Sequence, residues 1–126
     1  MAKFVHPDVL DGGLLAIKNG ALKLLLISAY APGDSYATVT GNKLGEVAMT
    51  SADYTLASSG NNRTLTSATK TANASASIGG TPNLHFAHTN GVDKVLWVTD
   101  ETSDQPITSG NPIDYPALVY TSNQPT

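Results

Sequence analysis

No cysteine occurs among the 126 residues. That absence removes disulfides, zinc–thiolate sites, iron–sulfur clusters and a cysteine nucleophile. Charge is scarce as well. Asp, Glu, Lys and Arg together make up 13% of the chain, about half the share of an average soluble domain. The formal net charge of −3 offers no basic excess to a phosphate backbone, so no nucleic-acid partner is expected. A surface poor in charge and rich in Thr, Ser, Ala and Asn suits a domain that covers much of itself with a partner. Only eight aromatic residues are present, one of them Trp97. Long apolar runs are missing too. The longest, LLLISAYA at 24–31, falls far short of the roughly 20 residues a bilayer span needs. The opening MAKFVHPDVLDGG lacks the apolar core and cleavage site of a secretory signal. The expectation is a protein made in the cytoplasm, with no membrane partner.

Catalytic signatures are equally sparse. There is no GxSxG elbow, phosphate loop, dinucleotide fingerprint or HExxH pair. Ser109, in TSG, has nothing beside it in sequence to activate it. The expectation is a non-enzyme without cofactor or resident metal. His85 and His88 stand three apart in an apolar segment. In a strand that spacing sends them to opposite faces, one to the surface and one into the sheet. The stretch VTDETSDQPITSGNPIDYP, 98–116, gathers Asp100, Glu101 and Asp104 in one polar turn. Calcium needs about six to eight oxygens, and the alternating acids and central glycine of an EF-hand are absent here. Thr99, Thr102 and Ser103 favour side-chain-to-backbone turn bonds. A glycosidase pair of carboxylates would need a cleft with sugar-stacking aromatics, whereas Trp97 lies in an apolar run that reads as core.

The length suits one domain. Residues 7–19 read as a short helix, with Pro7 at its first position, Asp8 at the positive end of the dipole and Val9, Leu10, Leu14 and Ile17 near one face. Gly12-Gly13 weakens it by roughly 1 kcal/mol per glycine, unless the pair serves close approach of a partner. Beyond Gly20 the periodicity is that of strands. ALKLLLISAY is one. APGDSYA is a turn, and TVTGNKLGEVAMT has a turn after β-branched residues. DYTLASSGNNRTLTSAT reads as strand, turn, strand, and 71–77 as a thin strand of small residues. LHFAHTNGVDKVLWV is a hairpin about Asn90-Gly91, its second arm covered on both faces. YPALVYT is the last strand. The expected fold is mainly β. Residues 1–126 form a single β-sandwich or jelly-roll-like domain, with 1–20 an N-terminal arm or short helix and 21–126 the sandwich.

Three segments carry a family resemblance: HPDVLDGGLLAIKN with LLLISAY and GDSYATV; VAMTSADYTLASSGNNRTLT; and GVDKVLWVTDETSDQPITSGNPIDYPALVYTSNQP. In order and spacing the chain resembles small capsid decoration, or cement, proteins of tailed bacteriophages. The resemblance covers most of the chain and includes no catalytic signature. It implies a virion protein on the outer surface of the assembled head, bound to the major capsid protein and to copies of itself, a trimer favoured over a dimer. Such a protein stabilises a shell by binding the assembled state only. Under this reading Phe4, Val5, Val9 and Leu10 are candidate contacts of an N-terminal arm. The alternative is that the arm packs on its own domain and covers a sheet edge. Asp100, Glu101 and Asp104 are the second candidate contact, against an ordinary crossover loop. A head–tail or tail-associated place on the virion, or a carbohydrate-binding β-sandwich with calcium at the acidic turn, are the other readings.

Overall fold

The computed structural model describes residues 3–125. The chain is mainly β, with three antiparallel sheets and an N-terminal helix. Helix α1 spans Pro7–Gly20, as the sequence predicts. The His6 ring caps it by accepting from the Asp8 N–H at 3.1 Å, and Lys18 lies in its last turn. Its buried stripe is Leu10, Leu14 and Ile17. Each such side chain contributes about 2 kcal/mol on burial, more than the roughly 1 kcal/mol that each of Gly12 and Gly13 costs. Packing, rather than helix propensity, therefore holds α1 in place.

The strands are β1 (Lys23–Ile27), β2 (Lys43–Ala48), β3 (Tyr54–Ser59), β4 (Asn62–Ser67), β5 (Lys70–Asn73), β6 (His85–Thr89), β7 (Val95–Asp100), β8 (Pro112–Tyr115) and β9 (Val119–Ser122). One sheet runs β2-β1-β6-β7, a second β3-β4-β9, and a third pairs β5 with β8. The main core draws on residues of all three sheets and of α1. It gathers Leu24 and Leu26 from β1, Phe86 from β6, Tyr54 and Leu65 from the second sheet and Leu14 and Ile17 from the helix. The other face of the four-stranded sheet is covered by a smaller cluster, Leu25, Ile27, Ala87 and Val39, with Tyr30 against it. The continuous apolar run of β1 follows from having both faces covered.

Three expectations change. Tyr36–Gly41 is a helix, α2, begun by the Ser35 side chain accepting from the Thr38 N–H at 3.2 Å; its β-branched residues give it the look of a turn followed by a strand. The region 71–77 is strand only to Asn73. The C-terminal segment is two strands, not one. Pro116 separates them, β8 pairing with β5 and β9 with β4. Gly45 in β2 is tightly packed, and a larger residue there would make neighbouring side-chain ends shift. An added Cβ would lie 2.8 Å from Ile113 Cδ1 and 3.0 Å from the Tyr115 hydroxyl. No helix among the described residues is long and apolar enough to cross a membrane.

Candidate functional site

The N-terminal candidates divide by burial. Phe4 is 68% exposed and Val9 66%. Leu10 is buried at 7% and is therefore a residue of the protein's own packing, not of a contact surface. Helical periodicity explains the split, since Leu10 shares a stripe with Leu14 and Ile17 while Val9 stands off it. Val5 is half-buried and pinned. Its N–H donates to Gln124 Oε1 at 2.9 Å, and its carbonyl accepts from Gln124 Nε2 at 3.0 Å. The same amide donates to the Asn61 carbonyl at 2.9 Å, and the Gln124 N–H donates to Asn62 Oδ1 at 2.8 Å. One side chain thus joins the arm, the β3–β4 turn and the C-terminal segment.

Between α1, β7 and β9 runs a shallow groove of about 270 Å³, lined by Val9, Gly13, Ala16, Leu96, Tyr120 and Ser122 among others. Val9, Val119 and Tyr120 are exposed beside or within it. Gly12 and Gly13 face open space: an added Cβ at either meets nothing within 4 Å. Close packing within this chain therefore does not require these glycines. On the buried side, Arg63 of β4 forks onto Asp11 of α1, with Nε–Oδ1 2.8 Å and Nη2–Oδ2 3.2 Å. Lys18 donates to the carbonyls of Ser51 and Tyr54 at 2.6 and 2.8 Å.

The acids of the 98–116 stretch engage separate partners. Asp100 lies 3.7 Å from His85 Nε2 and is otherwise exposed. Glu101 Oε1 accepts from the Ser103 N–H at 3.0 Å, and the Glu101 N–H donates to the Leu84 carbonyl at 3.0 Å. Asp104 Oδ1 accepts from the Leu84 N–H at 2.9 Å. Two of the three thus fasten the loop to the residue before β6. Asp114 Oδ1 accepts from the Thr71 hydroxyl at 3.2 Å. Among the described residues, no three His, Asp or Glu side chains are brought together as a metal site. A hollow of about 170 Å³ lies under the loop, with Leu84, Phe86, Ile107 and Ile113 lining it and Glu101 and Asp114 contributing carboxylates.

The histidines separate as the strand alternation predicts. His85 is half-buried against Tyr30, with ring centroids 6.0 Å apart, and His88 is fully buried. His88 stacks flat on Trp97, with centroids 4.5 Å and planes 8° apart, and its Nδ1 lies 2.9 Å from the Tyr54 hydroxyl. That hydroxyl is 3.1 Å from the Ala21 carbonyl at the end of α1. The arrangement assigns the tautomer. With the proton on Nδ1, the ring donates to Tyr54 and Tyr54 donates to Ala21. Only the lone pair of Nε2 then lacks a partner, which costs less than an orphaned N–H. Burial lowers the His88 pKa to about 4 and raises that of Tyr54, with Asp53 adding to the rise. Trp97 is half-buried on edge strand β7, its ring against the edge of Tyr120 at 5.6 Å. It borders the core rather than filling it.

The sequence reading did not find the Tyr54–His88 pair or the Gln124 clamp. The only available signal was the spacing of Phe86 and His88, which places the histidine on the inward face. Compared with family models, with curated proteins and with solved structures, the chain matches none.

Proposed function

We propose that this chain is a bacteriophage capsid decoration protein that seats on the assembled head and stabilises contacts between capsid subunits. The observation that carries the reading is the set of apolar side chains exposed on the N-terminal segment. Phe4 and Val9 project from it, and the open Gly12-Gly13 backbone and the α1–β9 groove adjoin them. Apolar side chains held out from an anchored segment suit contact with a preformed surface. Binding only the assembled shell favours assembly by mass action, and repetition over many sites multiplies a weak contact. The chemistry asks for no reactive group. In the same reading, the four- and three-stranded sheets facing each other across the main core form a sandwich of the jelly-roll kind, a rigid base for that face.

The test is an occupancy measurement on shells that lack the protein. Phe4→Glu and Val9→Glu alter exposed side chains, so the free protein should melt as before. Both variants should lose shell occupancy and the accompanying rise in shell melting temperature. Wild-type occupancy by the double variant would exclude this face. Truncation through residue 10 is a poorer test, because it removes the buried Leu10. Imaging of whole particles separates the head surface from a head–tail or tail position.

A further inference from the structure

The hollow of about 170 Å³ beneath the loop between β7 and β8 has a floor and a rim of different chemistry. Its floor is apolar: Leu26 of β1, Leu84 and Phe86 at the start of β6, Ile107 of the loop and Ile113 of β8. Its rim is polar and of one sign. Glu101, half-buried, and Asp114, exposed, bring carboxylates, and Gln105 brings an amide. Each carboxylate has one oxygen engaged, Glu101 Oε1 by the Ser103 N–H and Asp114 Oδ1 by the Thr71 hydroxyl. The second oxygen of each has no hydrogen-bond or ion-pair partner among the described residues. The basic residues of the chain stand elsewhere. Beyond residue 70 the sequence has one, Lys94, at the opposite end of β7 from Glu101. Lys70, across the β5–β8 pair from Tyr115, is taken by Asp53 at 2.9 Å, and Lys43 by Glu46 at 3.3 Å.

We propose that this hollow receives a lysine side chain of a partner protein, its methylene stem on the apolar floor and its ammonium at the rim with Glu101, Asp114 and the Gln105 amide oxygen. Volume sets the scale of the occupant. Small-molecule sites span about 300–1,000 Å³; this hollow is smaller and suits one extended side chain. The mixed lining sets its chemistry. A lysine stem covers apolar surface while its charged head stays at the wet rim. An anion would meet two like charges, and a wholly apolar group would strip water from both carboxylates and replace it with nothing. The open acceptors favour lysine over arginine. An ammonium is compact and has three donors, which match one open oxygen on each acid and the amide oxygen. A guanidinium fork binds best to both oxygens of one carboxylate, and here each carboxylate already has one oxygen engaged. A seat of this size binds weakly alone and gains from being one contact among several, as on a protein surface. The assignment does not rest on the capsid reading, and its test contains no capsid.

The experiment is an amide-resolved NMR titration of the full chain with Nα-acetyl-lysine N-methylamide. The norleucine analogue keeps the stem without the charge, and the Nε-acetyl-lysine analogue keeps the nitrogen without the charge. The lysine probe should shift the N–H signals of Leu84, Glu101, Ile107 and Ile113 saturably, with Kd of about 1–10 mM, as suits a single side chain. Both uncharged analogues should bind about tenfold more weakly or not at all, and the arginine analogue about threefold more weakly. Glu101→Gln and Asp114→Asn keep the shape of each side chain and an oxygen for its internal hydrogen bond, so both should melt as the wild type does. Each should weaken the lysine probe about threefold, and the two together about tenfold. Shifts that do not saturate by about 50 mM overturn the proposal. So does equal binding of the norleucine analogue, tighter binding of the arginine analogue, or a Kd indifferent to both variants. Shifts no larger at these four residues than around the exposed Asp8 would show unspecific attraction to negative charge and overturn it as well.

Discussion

Two polar groupings in this protein look opposite in sequence and in space. Asp100, Glu101 and Asp104 lie within five residues yet face different neighbours, His85, Ser103 and Leu84. Ala21, Tyr54 and His88 are scattered along the chain yet meet in one buried relay. The difference follows from water. A carboxylate on an exposed turn needs no common partner and takes the nearest N–H. A hydroxyl or imidazole closed off from water is costly without a partner, and the fold brings Tyr54 its two at His88 Nδ1 and the Ala21 carbonyl. Proximity in sequence therefore marked a loop anchor here, and distance in sequence concealed the polar centre of the core.

The sharpest way to break that contrast is pH. The folded-state pKa of His88 is about 4, against an ordinary value of 6.5. Between those values the unfolded chain binds the proton more readily. Stability is therefore complete above about pH 6.5 and falls by about 3 kcal/mol as the pH drops to about 4. Below that, loss of the Asp53 carboxylate, held low by Lys70 and then by the Thr50 N–H, continues the decline. Urea unfolding at pH 7 and pH 4 measures this, and His88→Leu should remove most of the slope in the upper window. A slope unchanged in that variant would show that His88 is not its source.

Tyr54→Phe comes next. It strips the link between His88 Nδ1 and the Ala21 carbonyl and leaves both buried without a partner, at a cost of about 1–3 kcal/mol at pH 7. Asp104→Ala should cost about 1 kcal/mol or less, because water reaches the freed Leu84 N–H. Its signature is local: faster hydrogen exchange at Leu84 with little change at Phe86. Equal losses for Tyr54→Phe and Asp104→Ala would erase the distinction between the two groupings. Gly12→Ala has the opposite sign. With open space at that position, it should stabilise the free protein by about 0.5–1 kcal/mol. If α1 meets the shell, the same variant should lower shell occupancy, so melting and occupancy move apart.

Helix α1 was legible because its determinants are local: Pro7 and Asp8 at the start, and apolar residues at helical spacing. The β3–β4 and β6–β7 hairpins were legible for the same reason. Gly60 and Gly91 adopt the positive φ that their turns require, although Asn90 Oδ1 gathers the N–H groups of Val92, Asp93 and Lys94 into a longer turn than two residues. The sheet change at Pro116 was not legible. An apolar segment carries the same alternation whichever strand it pairs with, and the choice between β4 and β5 is made by distant residues. Helix α2 was hidden by Thr38, Val39 and Thr40, β-branched residues with poor helix propensity. Among the candidate contacts, periodicity separates Val9 from Leu10, whereas the pinning of Val5 depends on Gln124, near the other end of the chain.

That pinning has a topological consequence. Because one amide holds Val5 beside Gln124 and the β3–β4 turn, the two ends of the described chain lie together. A short linker between them would close the backbone into a ring with little rearrangement, and new ends could be opened at the exposed Gly79-Gly80. The order in which the strands are synthesised could then be changed while every pairing in the three sheets is kept.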